Sequence, residues 1–273
     1  MTDLTATVER PPRLPRRWTG TRILGHGLVA FWVVIALALV IWLYNAFDLD
    51  LVERYGPKYW SGLKVTLGLV LLSVLCGAIL SVPVALARLR GKGVWSALAY
   101  GYVYFFRGTP LIAQVFLIYY GLGQFSDSLK AMGLWGFFRD AWNCAFFAFT
   151  LNTAAYQAEI LRGAIQSVPK GQWEGAQALG LPRWYIFGRI ILPQALIVAL
   201  RPYGNELILM IKGSAIVAIV TVYDLMGETR RAFSRTFDFQ TYIWAAIIYL
   251  AIVETLRNIW DWIEKRLTRH LVR

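Results

Sequence analysis

Long apolar stretches recur along this chain, and they constrain its fold more than any other feature. Six of them approach or reach the roughly 20 apolar residues that a helix needs to cross a bilayer. They cover residues 28–47, 63–87, 111–123, 141–161, 190–211 and 241–260. Only 16% of the residues are charged, against about 25% in a typical soluble domain. The pattern therefore predicts an all-α, polytopic membrane helix bundle with about six transmembrane helices.

The segments around these stretches divide the chain into four parts. Residues 1–22 carry five arginines and three prolines and are expected to form a disordered, cytoplasmic, basic tail. They resemble the first part of a signal peptide, but no small-residue cleavage site follows, so residues 23–58 are predicted as a retained extra transmembrane helix and a periplasmic loop over 48–62. Residues 59–266 are predicted to form the main bundle, with a short interfacial helix over 94–106, and residues 267–273 a second basic tail.

The net charge of +12 raises the question of a nucleic-acid partner. The basic residues lie between the apolar stretches rather than along one polar face, which excludes that partner and follows the positive-inside rule instead. With the N-terminus inside, the inner segments hold 17 of the 28 Lys and Arg residues and the outer segments hold nine. This asymmetry predicts a multi-pass protein of the bacterial inner membrane, surrounded by lipid, with both termini in the cytoplasm.

Residues that carry out chemistry are sparse. Cys76 and Cys144 lie inside apolar stretches, and His26 and His270 lie near the two ends of the chain. No metal-ligand spacing, no Ser/His/Asp arrangement and no phosphate-binding GxxxxGK[ST] loop is present in the sequence. We therefore expect no catalytic residue, no metal and no cofactor, and the chain is not predicted to be an enzyme.

The segment between the fourth and fifth stretches has a helical pattern of its own. Its proline at 169 suits a first helical turn, Glu174 follows in the first half, and Gly180 is suited to end the helix. Trp173, Ala176 and Gly180 are spaced three and four residues apart and are predicted to share one face. We expect a short exposed helix over 169–181, placed in the cytoplasm, where small residues let a partner approach closely.

This segment resembles the coupling motif of ATP-binding-cassette importer permeases. That motif reads Glu-Ala-Ala, three residues, Gly, nine residues, Ile, one residue, Leu-Pro, and the chain has Glu174-Gly175-Ala176, Gly180, Ile190 and Leu192-Pro193 at those offsets. Gly175 departs from it by replacing the first alanine, which should loosen the helix. The resemblance assigns contact with an ATPase to a set of six residues: Trp173, Glu174, Gly175, Ala176, Gly180 and Pro193.

Further stretches resemble the polar amino acid branch of that family, and among its members the histidine/octopine/nopaline "M" permease type. They are Phe106–Leu111, Leu151–Tyr156 with Glu159, Gly163–Pro169, and Asn205-Glu206 with Lys212. The resemblance runs from about residue 59 to 266 and implies a type I importer permease fold. It also implies a sister permease or a second copy as dimer partner, an ATPase dimer that hydrolyses ATP, and a periplasmic solute-binding protein. The implied cargo is histidine, arginine, lysine, ornithine or an opine.

Polar side chains inside the spans are the candidates for the substrate path, because such residues are costly in a membrane. Asn152, Tyr156 and Glu159 fall on one helical face, and Asn205 and Glu206 lie in the fifth span. A carboxylate can accept a cationic amino acid, an amide can bind its polar groups, and a tyrosine ring can stack on a guanidinium. Structural alternatives remain open: Glu159 with Arg162, Asn152 between helices, and Glu206 with Lys212 or Arg201. Arg107–Pro110 is predicted to be a structural break.

The sequence supports two hypotheses about function. The first is the permease subunit of an ATP-driven importer, in which the segment around Glu174 transmits motion from the ATPase. The alternative is an ion-coupled secondary transporter without an ATPase, in which Glu159 or Glu206 binds a proton or sodium ion. No internal repeat is visible in the sequence, which disfavours the alternative because many secondary transporters are built from paired halves. A membrane enzyme is disfavoured by the lack of a catalytic constellation.

Overall fold

The computed structural model describes residues 18–45 and 47–269, and this part is helical with no β-strand. Twelve α-helices follow one another: α1 (Gly20–Asn45), α2 (Leu49–Arg90), α3 (Val94–Gly108), α4 (Leu111–Phe116), α5 (Ser126–Ala131), α6 (Trp135–Phe138), α7 (Ala141–Ser167), α8 (Lys170–Ala178), α9 (Arg183–Tyr185), α10 (Leu192–Ser214), α11 (Leu225–Thr236) and α12 (Gln240–Thr268). Most of the predicted N-terminal tail and the end of the C-terminal tail, including His270, lie outside the described residues.

Three helices continue into turns of a different pitch. A π-helical turn, Leu117–Gly121, follows α4, and another, Ile186–Ile191, connects α9 to α10. A 3₁₀ turn, Ala215–Val220, follows α10. The chain divides into two compact units, Met1–Leu49 and Asp50–Arg273. The first contains α1, an apolar helix of 26 residues. The second contains the bundle described below.

Four helical stretches are long and apolar enough to cross a membrane: Gly20–Asn45, Leu49–Arg90, Arg183–Val220 and Gln240–Thr268. They contain four of the six predicted spans, apart from the last two residues of the first. The predicted span over 111–123 corresponds to the shorter apolar helix Leu111–Gly121. The remaining predicted span, over 141–161, corresponds to α7, whose 27 residues would extend about 40 Å. It buries the polar side chains of Asn152 and Gln157 and carries Glu159.

The predicted loop over 48–62 is wrong, because α2 already begins at Leu49 and continues for 42 residues. Its first turns are amphipathic: Leu51, Tyr55 and Tyr59 recur at four-residue intervals and are buried against α11 and α12. Gly62 continues this face, and a Cβ at this position would lie 2.8 Å from the backbone oxygen of Asp224. The charged residues of this stretch, such as Asp50, Glu53 and Arg54, are exposed on the other side of the helix.

Helix α7 lies at the centre of the bundle and packs against α3, α4 and α10. Its contact faces are rich in fully buried alanines: Ala145, Ala148, Ala154, Ala155 and Ala158. Small side chains of this kind let helix backbones approach closely, which is how helices associate in a membrane. Helix α3, predicted as an interfacial helix, buries Ala99 and Val103, and its Tyr102 hydroxyl donates to the Leu151 carbonyl of α7.

Helix α10 packs between α7 and α12, and it extends from one end of the bundle to the other. Near its middle, Trp260 of α12 lies against Gly204, and the indole Nε1 donates to the Leu200 carbonyl at 2.7 Å. Before its start lies the π-helical turn that packs on α8, and beyond its other end lie the 3₁₀ turn and α11. The 23 residues of α10 extend about 35 Å. We refer to these two ends as the α8 end and the α11 end.

Candidate functional site

The predicted coupling helix is present as α8, which is short and mostly exposed. It starts after Pro169 and ends where Gly180 adopts a left-handed conformation with φ +70°. There the Gly180 amide donates to the Gln177 carbonyl at 2.9 Å, and the Leu181 amide donates to the Ala176 carbonyl at 3.3 Å. These bonds satisfy carbonyls that a helix end otherwise leaves open. Glycine is suited to this position because its φ is positive.

The predicted contact face of α8 is wrong in one respect. Ala176 is buried in the protein's own core, in a cluster with Val168, Ile186 and Ile191. Trp173 is half-buried, with its ring centroid 6.5 Å from that of Phe187. Both residues therefore seat α8 on the bundle. The exposed surface of α8 is formed instead by Glu174, Gly175 and their neighbours.

Pro193 lies at the beginning of α10 and is exposed. A proline within a continuous helix has no N–H to donate, and its ring crowds the carbonyl four residues earlier. Here the six residues before Leu192 form the π-helical turn Ile186–Ile191, and π turns commonly relieve such a conflict within long helices. The Leu-Pro pair of the motif thus coincides with the place where the chain turns from α8 into the bundle.

Two large apolar side chains next to α8 were not selected from the sequence. Leu179 is 78% exposed and Trp184 is 76% exposed. They flank the turn at Gly180, at the end of the bundle that carries α8. Exposed apolar residues grouped in this way mark a surface that contacts another protein or a membrane. Their position next to a glycine-terminated helix is the signal that could have identified them.

The predicted substrate-path residue Asn152 is committed to a network inside the bundle. Its Nδ2 donates to the Phe106 carbonyl at 3.1 Å and to Gln114 Oε1 at 2.9 Å. Gln114 in turn donates to the Phe106 carbonyl and to Thr109. The open alternative, a bond between helices, is therefore what the structure shows for Asn152. The network satisfies carbonyls exposed where α3 ends and α4 begins, so the break at 107–110 depends on it.

Glu159 lies at the centre of a cluster of three arginines. Its carboxylate accepts from Arg162 at 2.7 Å and from Arg88 Nε at 3.0 Å, and Arg107 Nη1 lies 3.9 Å away. Arg162 was one predicted alternative; Arg88, from α2, is 71 positions away in sequence and was not predicted. The three guanidinium groups exceed the one carboxylate in charge, so the cluster has a net charge of +2.

Two open cavities meet at this cluster. One, of about 390 Å³, is lined by Arg107, Tyr156, Glu159, Gly163 and Pro202, among others. The other, of about 330 Å³, is lined by Arg88, Tyr100, Tyr104, Arg107 and Glu159, among others. Arg107 and Glu159 belong to both, so they form the partition between the two cavities.

Arg107 is the least constrained of the three arginines. Its side chain is 44% exposed, whereas those of Arg88 and Arg162 are 18% and 26% exposed. Its guanidinium carbon lies 5.2 Å from the centroid of the Tyr156 ring, within reach of a cation–π contact. The structure thus brings Tyr156 and Glu159 together as predicted, and it adds Arg107, which was interpreted from the sequence as part of a structural break.

Glu206 is buried in α10 and faces α7. Its Oε1 accepts from Thr153 Oγ1 at 3.0 Å, and Thr153 Oγ1 accepts from Gln157 Nε2 at 3.0 Å. Both predicted partners of Glu206 are wrong, since Arg201 pairs with Glu264 at 2.6 Å and Lys212 is exposed. Asn205 is exposed next to Glu206 on the helix and is not in this chain of hydrogen bonds. The structure therefore brings only Tyr156 and Glu159 of the five predicted residues together at one cavity.

Comparison with known proteins identifies a family that matches most of this chain. A family described as "Binding-protein-dependent transport system inner membrane component" matches residues 73–269. The chain is 45% identical to the nopaline transport system permease protein of Agrobacterium fabrum over 206 residues, which are 75% of this chain and 86% of that protein. It is 36% identical to the histidine/lysine/arginine/ornithine transport system permease protein of Escherichia coli over 226 residues, 80% of this chain and 95% of that protein.

Solved structures agree with this assignment. A crystal structure of an amino acid ABC transporter with histidines aligns with a TM-score of 0.71 and 34% identity, and it covers 81% of this chain and 99% of that one. The MetNI methionine transporter in an inward-facing conformation aligns with a TM-score of 0.61 over 81% of this chain and 100% of that one, at 17% identity. At that identity the second similarity supports the fold alone.

Proposed function

This chain belongs to the family of binding-protein-dependent transport system inner membrane components, and from that premise we propose that it carries cationic amino acids or opines. Arg107 and Glu159 are proposed as the charged groups of the path. The membership makes the chain a multi-pass inner membrane permease subunit that works with an ATPase, a binding protein and a second permease subunit. The finer assignments are part of the proposal: both termini in the cytoplasm, ATP hydrolysis in the partner, and a sister permease as the dimer partner.

The observation that supports this path is the pairing of an exchangeable arginine with a fixed carboxylate at the edge of a cavity. Every free amino acid carries a carboxylate and an ammonium group. Arg107 is free enough to leave Glu159 and bind the carboxylate of the substrate. Glu159 does not bind the substrate cation directly in this proposal; its negative charge offsets part of the positive charge of the arginines where that cation passes. Arg88 and Arg162 keep Glu159 in place during the exchange, and Tyr156 offers its ring to a guanidinium or imidazole.

The cationic class is supported by relatives whose names specify their cargo. Relatives of this chain are named as permeases for nopaline, for octopine and for histidine, lysine, arginine and ornithine. The named substrates combine carboxylate and nitrogen cation groups, which match the Arg107–Glu159 pair. Glu206 and Asn152 contribute differently in this proposal, since their hydrogen bonds join α7 to its neighbours and fix the wall of the path.

Coupling to the ATPase is proposed at α8. Glu174 and Gly175 are exposed on this helix, and Leu179 and Trp184 extend the surface beyond its end. Ala176 and Trp173 anchor α8 to the π-helical turn that leads into α10. A displacement of α8 is thereby passed to α10, whose Val198, Ala199 and Pro202 line the cavity of the proposed path. This connection supplies the lever that alternating access requires.

The ion-coupled alternative is disfavoured by the surroundings of Glu159. A carboxylate that binds a proton or sodium during transport needs to be free of fixed cations, because a neighbouring arginine already supplies the positive charge. Two arginines within hydrogen-bond distance occupy both oxygens of Glu159. The other candidate, Glu206, accepts from Thr153 and belongs to the contact between α7 and α10.

A transport assay with matched variants tests the path. The complete transporter is reconstituted in proteoliposomes with ATP on the ATPase side, and uptake of arginine, histidine and octopine is measured for wild type, Glu159→Gln and Glu254→Gln. Glu254 is a control because its ion pair with Arg257 is exposed on α12. We expect Glu159→Gln to reduce uptake by about tenfold or more, equivalent to about 1.4 kcal/mol or more of lost interaction, and Glu254→Gln to leave it unchanged.

The uptake of each variant is interpreted together with its assembly with the ATPase. Each variant is checked for co-purification with the ATPase, so that a loss of uptake in an assembled complex is assigned to the path. Full uptake by an assembled Glu159→Gln transporter would refute the role of Glu159. Uptake that persists without the ATPase, driven by an ion gradient, would refute the ATP-driven function itself.

A second assay tests α8. Leu179→Ala combined with Trp184→Ala removes the exposed apolar surface without touching the buried anchor Ala176. We expect the ATPase to be lost or weakened in co-purification, while Trp60→Ala, a 60% exposed tryptophan on α2, retains it. Wild-type recovery of the ATPase by the double variant would contradict this surface assignment.

A further inference from the structure

Helix α11 carries a group of arginines that the transport path does not use. Arg230 and Arg235 are exposed, and Arg231 is partly exposed between them. The opposite face of the helix is buried, with Leu225, Gly227, Glu228, Thr229 and Ala232 packed against the bundle. The helix therefore presents a basic face at the α11 end, about 35 Å along α10 from α8.

The acidic residues of the same segment offset only part of that charge. Asp224 is fully buried. Glu228 is 6% exposed and pairs with Arg231 at 3.5 Å. Asp238 accepts from the backbone and side-chain nitrogens of Gln240 at 2.9 and 3.0 Å. Within the described part of the chain, Arg230 and Arg235 are exposed and form no ion pair with a carboxylate, so they carry the positive charge of this face.

This charge is on the side of the membrane where the positive-inside rule disfavours it. With α8 on the ATPase side, α11 lies at the outer side, where short segments next to spans are normally poor in Lys and Arg. Three arginines within six residues of a short connecting segment therefore need a reason other than membrane topology. A binding function supplies one.

The arginines are held in place next to a cavity. Arg230 Nη1 donates to the Ala218 carbonyl at 3.4 Å, and the Arg231 guanidinium carbon lies 5.2 Å from the ring centroid of Tyr223. A cavity of about 480 Å³ is lined by Tyr223, Arg230, Arg231, Ser234 and Tyr242, among others. Groups that are already ordered lose less conformational entropy on binding, and Arg and Tyr are the residues most enriched in interface hot spots.

The backbone on both sides of α11 is in an uncommon conformation. Thr221 has φ +64° and Phe237 has φ +53°, the left-handed region that β-branched and bulky residues rarely adopt. Phe237 is 78% exposed, and Phe239 nearby is 68% exposed. The chain thus keeps two unfavourable conformations where it presents aromatic rings next to the arginine face, and such strain concentrates at functional sites.

We propose that the arginine face of α11, with Tyr223, Phe237 and Phe239, is the surface on which the solute-binding protein docks, through carboxylates on that protein. The proposal rests on the proposed function, which places α11 on the outer side and supplies a binding protein as partner. The charge of the face selects the chemistry of the partner: acidic side chains meet Arg230, Arg231 and Arg235, and apolar groups pack on the exposed rings.

The test titrates the binding protein against the assembled transporter. The full complex is placed in nanodiscs of phosphatidylcholine, and ATP hydrolysis is measured as a function of the concentration of substrate-loaded binding protein. The variant Arg230→Glu/Arg235→Glu leaves Arg231 in place, so the buried Glu228 keeps its partner. The control is Arg139→Glu, an exposed arginine just before α7.

We expect the double variant to raise the half-saturating concentration of binding protein by about tenfold, with the rate at saturation unchanged, because charges at an interface rim act on encounter and affinity. Added salt should weaken the wild type more than the variant. The control should stay within about twofold of the wild type. Replacement of acidic residues on the binding protein with lysine should restore affinity for the double variant.

Several results would overturn the proposal. One is a double variant with the affinity and salt dependence of the control. Another is a shift found only in nanodiscs that contain phosphatidylglycerol, which would assign the face to lipid. A third is dissociation of the permease dimer in size-exclusion chromatography, which would assign the face to the second subunit. A wild-type complex that the binding protein fails to stimulate would instead contradict the proposed function.

Discussion

Glu159 and Asp224 are both acidic residues of the bundle, and the structure stabilises them in opposite ways. Glu159, at the α8 end, is surrounded by the cations Arg88, Arg107 and Arg162 and borders two open cavities. Asp224, at the α11 end, is fully buried and accepts from neutral groups: the Gly227 amide at 2.7 Å and the hydroxyls of Thr66 and Tyr249 at 3.5 and 3.4 Å.

The difference shows what each end is suited to do. An ion pair at the edge of a cavity can exchange one partner for a charged substrate, because water and ligand reach it. A carboxylate enclosed by hydroxyls and an amide cannot exchange, but it joins three elements at once: it caps α11 and bonds to α2 and α12. The contrast supports the proposed substrate path at the α8 end and indicates a structural joint at Asp224.

The strongest test of this joint is Asp224→Ala. The variant loses the N-cap of α11 and leaves the buried hydroxyls of Thr66 and Tyr249 without their acceptor. We expect the free energy of unfolding in detergent, measured at pH 5 by tryptophan fluorescence, to fall by about 3 to 4 kcal/mol. Asp127→Ala, which alters a 93% exposed carboxylate, should cost less than about 0.5 kcal/mol. Equal stability of the two variants would refute the joint.

The contribution of Asp224 to the free energy of unfolding is expected to depend on pH. Asp224 lies between two spans, and burial raises its pKa from 3.8 to about 6, against the lowering effect of its hydrogen bonds. Because the folded state holds this proton more tightly than the unfolded state, the contribution of Asp224 to stability is largest below about pH 4. It falls as the pH rises through about 6, by about 3 kcal/mol at most.

Comparing the wild type with Asp224→Ala at each pH separates the effect of Asp224 from that of the other titrating groups. The difference in unfolding free energy between wild type and Asp224→Ala should shrink between pH 5 and pH 8. A difference that grows with pH would mean that the ionised carboxylate is the stabilising form, and the contrast with Glu159 would lose its basis.

Replacing the arginines around Glu159 is expected to change the free energy of unfolding less, and by different amounts for Arg88 and Arg107. Arg88→Met should lower the free energy of unfolding by about 1 to 2 kcal/mol, because it removes a part-buried partner from a carboxylate that stays in place. Arg107→Met should change it by less than about 0.5 kcal/mol, because this arginine is 3.9 Å away and largely hydrated. For transport the expectation is reversed, with Arg107→Met the more damaging variant. Equal effects on stability would remove the distinction between a fixed and an exchangeable arginine.

Parts of this molecule that depend on local sequence could be predicted. The apolar stretches located the long helices, and the glycine and proline positions located α8. The pair of Glu159 with Arg162 follows from their spacing on one helix. The helical first turns of α2 were also present in the sequence, as apolar residues four positions apart, but the charges on the other face of this helix obscured the pattern.

Parts that depend on tertiary packing could not be predicted. Arg88 reaches Glu159 only because α2 packs on α7, and no spacing rule connects residues 71 positions apart. No sequence pattern distinguishes Asp224 from the polar residues around it, and its burial depends on Gly62, which lets α2 approach its backbone. Ala176 was assigned to a partner because small residues suit interfaces, but the same property suits the core.

The smallest expected effect concerns α8, the element that must move if the α8 end performs transport. A Cβ at Gly175 would meet no atom within 4 Å, so Gly175→Ala adds helix propensity without a steric cost. We expect α8 to gain about 0.5 to 1 kcal/mol, seen as slower amide hydrogen exchange across its residues. Gly180→Ala is the matched opposite, because φ at 180 is +70°, and it should weaken the helix end by a similar amount. We expect uptake to be retained in Gly175→Ala, because a rigid lever transmits motion at least as well as a flexible one. Slower uptake together with slower amide exchange in α8 would show instead that Gly175 supplies flexibility that coupling needs.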